Sequence, residues 1–126
     1  MNRQDKINEN ISAIEKYSYL RPKVAVILGS GLGAFANSLD EKDKVAIPYM
    51  VLPHFGRASL AGHASRLYLG HLGQVPLAIM CGRLHYYEGY TMDEVTIPIA
   101  TLIQMGIEKV IITNAAGGLN SSFTPG

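Results

Sequence analysis

A chain of 126 residues, 48% of them apolar, is long enough for one compact domain with a sizeable core. Its formal net charge of +1 excludes the basic excess that grips nucleic acid and the acidic run of a solvating tail. A single cysteine, Cys81, excludes an internal disulfide framework and a cysteine-rich zinc site.

Residues 3 to 19 are polar apart from a stripe at Ile7, Ile11 and Ile14, which predicts an outer helix. The segment after Met1 has no apolar signal core, and the apolar runs fall far short of the ~18 residues that a membrane span requires. The expectation is a soluble, cytoplasmic protein with no membrane partner.

After Arg21-Pro22, the run Val24-Ala25-Val26-Ile27-Leu28 predicts a strand buried on both faces. Gly29-Ser30-Gly31-Leu32-Gly33 follows, and a helix is expected over Ala34 to Leu39. Val45 to Leu52 carries Pro48 and predicts a weak or edge strand. Pro53 to His63 has no clear period and predicts a long loop, which in a compact domain is often functional.

Arg66 to Gly70 and Val75 to Met80 predict a hairpin closed around Gly73. Thr91 and Glu94 form a capping box for a helix with an apolar stripe at Val95, Ile99, Leu102 and Ile103. Pro98 inside it predicts a kink or an irregular start. Lys109 to Thr113 is expected to be another buried strand. The run from Val75 to Thr113 therefore predicts strand, helix, strand: a parallel pair with a right-handed crossover.

Three turns follow three apolar strands, at 29–33, 82–90 and 114–118. Ligands bind outside the carboxyl ends of parallel strands, so these turns are the place to look for chemistry. The first turn has three readings. Its backbone N–H groups and Ser30 hydroxyl at a helix start suit an anion. Gly29, Gly31 and Ala34 also satisfy a dinucleotide fingerprint, although no acidic residue follows between Tyr49 and Phe55. A plain tight turn is the third.

The second turn is richer. In an extended segment Arg83 and His85 face the same side. Arg83 can fork two hydrogen bonds onto a phosphate and His85 can add another. Glu88 can orient that histidine or accept a hydroxyl; the alternative is a polar surface loop with Arg83 and Glu88 paired. The third turn, Asn114 to Gly118, has small residues that let a ligand approach the backbone, or simply leads to the next element. His54 and His71 lack partners at metal-ligand spacing, so no metal is assigned.

The chain resembles the trimeric purine nucleoside phosphorylases. The resemblance rests on Gly29-Ser30-Gly31-Leu32-Gly33, Gly62-His63-Ala64, Gly82-Arg83-Leu84-His85-Tyr86-Tyr87-Glu88-Gly89-Tyr90 and Thr113-Asn114-Ala115-Ala116-Gly117-Gly118-Leu119, in order across residues 20 to 126. It departs at Ala61 and Ser65, where family members often carry Pro and Gly.

The resemblance implies an α/β fold with a mixed, largely parallel central sheet flanked by helices. It also implies that residues 1–126 are the N-terminal part of a longer single domain, whose C-terminal half would read the purine base. The implied reaction is phosphorolysis of a purine ribo- or deoxyribonucleoside to free base and (deoxy)ribose 1-phosphate. The family's phosphate site maps onto Ser30, His63, Arg83, Leu84, His85 and Ala115. Its nucleoside contacts map onto Tyr87, Ala115, Ala116 and Gly117, and the catalytic pair onto His85 and Glu88. The partners implied are phosphate and a purine nucleoside, with no cofactor, and a homotrimer at full length. The alternatives are a methylthioadenosine phosphorylase and a non-catalytic nucleotide- or anion-binding module. The 126-residue chain alone is expected to be inactive and poorly folded, with its last strand leaving an open edge.

Overall fold

The computed structural model describes residues 1–56 and 65–126. The loop expected at Pro53 to His63 therefore lies largely outside the described residues, and His63 with it.

Helix α1 (Arg3–Glu15) is capped by Asn2, whose side chain accepts from the Asp5 N–H. Ile7 and Ile14 are buried and Ile11 packs at the margin of the core. Strand β1 (Val24–Leu28) is buried along nearly its whole length, as its unbroken apolar run requires. Strand β2 (Val45–Pro48) ends at Pro48, which cannot donate to a ladder, and lies at one edge of the sheet. Strands β3 (Arg66–Leu72) and β4 (Val75–Cys81) form the hairpin, with Gly73 in the left-handed conformation its turn needs. Helix α2 (Met92–Gln104) starts at the Thr91 box: the Thr91 hydroxyl accepts from the Glu94 N–H, and the Glu94 carboxylate accepts from the Thr91 N–H. Strand β5 (Lys109–Ile112) closes the set.

The described strands form one mixed sheet in the order β2-β3-β4-β1-β5. β1 runs parallel to β4 and β5, while β2–β3 and β3–β4 are antiparallel. Alternation along β1 divides the core. Ala25 and Ile27 face the side covered by α1 and α2, with Ile14 and Leu102. Val26 and Leu28 face the side covered by Ala36 and Leu39.

Four expectations change. β4 and β5 are not neighbours: β1 lies between them, so the connection through α2 skips one strand. Residues Gly33–Ser38 form a 3-10 helix rather than an α-helix, too short to present a helix dipole to a ligand. The buried face of helix α2 is Ile97, Pro98, Thr101 and Leu102, with Ile103 exposed. The apolar stripe misjudged that face because Thr101 is buried with its hydroxyl satisfied: it donates to the Ile97 carbonyl and accepts from the Asn10 side chain of α1. Finally, β5 is exposed along its length, with Ile111 and Ile112 more than half accessible, because it has a single neighbour in the described sheet.

Candidate functional site

The register of the parallel strands brings their carboxyl ends to one edge: Leu28 pairs with Cys81, and Ile27 with Ile112. The turns after β1 and β4 therefore emerge side by side. Together with residues from β3 they line a cleft of about 920 Å³. Ser30, Arg83, Leu84, His85, Tyr87 and Glu88 all border it. Ala115, Ala116 and Gly117 follow β5 at the same end of the sheet, but they are exposed and do not line the cleft.

The ends of β1 and β5 are tied together by Thr113. Its N–H and hydroxyl both donate to the Ile27 carbonyl, and its hydroxyl accepts from the Gly29 N–H at 2.8 Å. Arg83 Nη1 donates to the Thr113 carbonyl at 3.0 Å. One face of the guanidinium is thus anchored to the end of β5, and the arginine borders the cleft without a carboxylate partner among the described residues. The expected alternative, an Arg83–Glu88 pair, is absent.

Gly29 is needed at this junction for space. A Cβ there would stand 2.8 Å from the Thr113 carbonyl oxygen and 2.9 Å from the Asn114 Cα.

Three residues past Gly82, His85 is extended, at φ −110° and ψ 137°. Leu84, between Arg83 and His85, is seated on Gly56, where a Cβ would stand 2.3 Å from its Cδ2. The His85 ring stacks on Tyr87, with centroids 4.8 Å apart. Glu88 orients the histidine through the main chain: its Oε1 accepts from the His85 backbone N–H at 3.0 Å. The carboxylate thus holds the turn that carries the ring.

Several lining residues escaped the sequence reading. Arg66 adds a second guanidinium, placed at the cleft because β3 pairs it with Cys81. Ser65, Tyr68 and Tyr49 also line the wall. Two arginines against one carboxylate give the cleft a local excess of positive charge on a chain whose formal net charge is only +1. Tyr49 is buried, and its hydroxyl donates to the Gly82 carbonyl at 2.6 Å. Burial, with a smaller contribution from neighbouring Cys81, pushes that phenol far above its usual range, so it remains a neutral donor. Burial also raises the Cys81 thiol, which keeps it protonated and fits the small apolar role.

The other histidines with described surroundings are paired with carboxylates, His54 with Glu9 and His71 with Asp43. Among the described residues no group of three His, Cys, Asp or Glu side chains is placed to hold a metal ion. No helix among them is long and apolar enough to cross a membrane.

The family model of the phosphorylase superfamily matches residues 23–126, which include every strand and the whole cleft edge. The chain belongs to the phosphorylase superfamily. Among curated superfamily relatives, purine nucleoside phosphorylase 1 of Geobacillus stearothermophilus is 46% identical over 105 residues, covering 83% of this chain and 38% of the relative. A solved purine nucleoside phosphorylase in complex with ribose-1-phosphate superposes with a TM-score of 0.85 at 37% identity, over 95% of this chain and 43% of that one. The Schistosoma mansoni purine nucleoside phosphorylase in complex with inosine gives a TM-score of 0.83 at 36% identity, over 95% and 41%. The chain thus spans about two-fifths of the length of the superfamily members it matches.

Proposed function

We propose that this chain supplies the phosphate-holding part of a purine nucleoside phosphorylase. The observation that carries the reading is the convergence of Ser30, Arg83 and His85 on one cationic cleft at the ends of β1 and β4. A phosphate there would take the guanidinium fork of Arg83, the Ser30 hydroxyl and the His85 ring. His63 and the Ala115 backbone are the further contacts that the family pattern assigns. Tyr87 would lie against the ribose, with Ala115, Ala116 and Gly117 on the nucleoside side.

In the reaction a phosphate oxygen attacks the anomeric carbon as the N-glycosidic bond breaks. The purine leaves with the bonding electrons and takes up a proton. The sugar is cation-like in between, so an anion held beneath it is both nucleophile and electrostatic partner. Donors already ordered by Thr113 and Glu88 stabilise that arrangement without reorganising during the reaction. Holding phosphate and sugar in line removes much of the entropic barrier. Phosphate is itself the nucleophile, so no cofactor enters the scheme.

The similarity to purine nucleoside phosphorylases supports placing residues 1–126 as the N-terminal part of one larger domain. On this reading the full-length protein is a cytoplasmic homotrimer, and the base-reading groups lie in the remainder. The open, apolar β5 edge agrees with such a remainder.

The test is release of hypoxanthine from inosine by a full-length enzyme carrying these residues, assayed with and without phosphate. Release only with phosphate is expected. Equal release without phosphate, or none with either inosine or methylthioadenosine, would refute the reading. The isolated 126-residue chain is expected to give no turnover in the same assay.

A further inference from the structure

We propose that Tyr49 is a positioning residue that sets the direction of the Gly82–Arg83 peptide and, through it, the placement of Arg83. This rests on the phosphate reading of the cleft and deepens it.

Tyr49 is only 3% exposed and holds two separate segments at once. Its backbone N–H donates to the Ser65 carbonyl at 2.9 Å, and its hydroxyl donates to the Gly82 carbonyl at 2.6 Å. Its ring lies 5.2 Å from that of Phe55, which is fully buried, so the phenol has little freedom to move away.

Gly82 is the point where direction has to be chosen. It has φ +105°, a conformation that side-chain-bearing residues rarely adopt. The space a Cβ would fill is taken by Ser65, with Oγ 2.7 Å away. A glycine can also rotate out of such a conformation at little cost. Its carbonyl and the Arg83 N–H belong to one planar unit, so pinning the carbonyl pins the start of Arg83. The Tyr49 hydroxyl does this from within the cleft wall. Thr113 holds the other end of the same residue, at the guanidinium. Tyr49 touches no reacting atom in this scheme and works through Gly82.

The experiment is Tyr49→Phe in the full-length enzyme, read in two ways. Steady-state titration is expected to show a phosphate KM raised about fivefold to tenfold, the scale of one lost hydrogen bond that leaves a carbonyl unpaired, with the nucleoside KM within about twofold. Amide hydrogen exchange is expected to speed up locally at residues 82–85 while β1 keeps its protection. An unchanged phosphate KM in an enzyme that is phosphate-dependent overturns the proposal. So does a uniform loss of protection, which would mean a general packing role. If the unsubstituted enzyme shows no phosphate dependence, the functional reading has failed instead. The exchange measurement then decides alone, and unchanged protection at 82–85 overturns Tyr49 as the determinant.

Discussion

Replacing Arg83 with alanine in the full-length enzyme is expected to raise the phosphate KM more than tenfold. Arg83 is held at both ends, by the pinned Gly82 carbonyl through the main chain and by the Thr113 carbonyl through Nη1. A hydrogen bond to a charged group contributes about 1.5–3 kcal/mol, which corresponds to roughly ten- to 150-fold. Arg83→Lys is expected to fall between, because lysine keeps the charge and loses the planar fork. Part of the alanine effect passes through structure, since Thr113 loses its partner. A denaturant midpoint measured beside the kinetics separates the two. Phosphate titration is the deciding measurement, and an unaltered phosphate requirement would remove Arg83 from the site.

Gly29→Ala is expected to destabilise the fold by about 1–3 kcal/mol, the usual cost of overpacking a tight contact. The new methyl would meet the Thr113 carbonyl and the Asn114 Cα, both backbone and unable to turn aside. The simplest relief is to lift β5 from the end of β1, which breaks the bond from the Gly29 N–H to the Thr113 hydroxyl. The Thr113 carbonyl that anchors Arg83 would move with it. Stability and phosphate affinity are therefore expected to fall together. Gly33→Ala is the control: nothing lies within 4 Å of its added Cβ and its φ is ordinary, so a change within about 0.5 kcal/mol is expected. Equal denaturant midpoints for the two variants would show that the close approach at Gly29 carries no weight.

Much of the cleft was visible before any fold, because its groups come in runs. Arg83, His85, Tyr87 and Glu88 share one turn, and all four border the cleft, as does Leu84 between the first two. Arg66 is different. It opens a predicted strand outside the three turns that drew notice, and only the hairpin register sets it beside Cys81. Counting back across the turn from Leu72 and Val75 would have found it. Thr113 looked like the last residue of a strand, yet its hydroxyl bridges β1 and β5 while its carbonyl holds Arg83. Its bonds span more than eighty residues to β1 and thirty to Arg83, so no local pattern contains them.

Local chemistry was enough for β1, for the hairpin, for α1 and for the Thr91 start of α2, since apolar period, turn glycines and caps act within a few residues. It was also enough to mark the turn after β4 as a border of the cleft. The insertion of β1 between β4 and β5, the buried face of α2 and the exposure of β5 were decided by the assembled sheet. Each of those depends on which distant surface covers a given face. The backbone partners of a strand, and the group that satisfies a buried hydroxyl such as that of Thr101, come from segments far away in the chain.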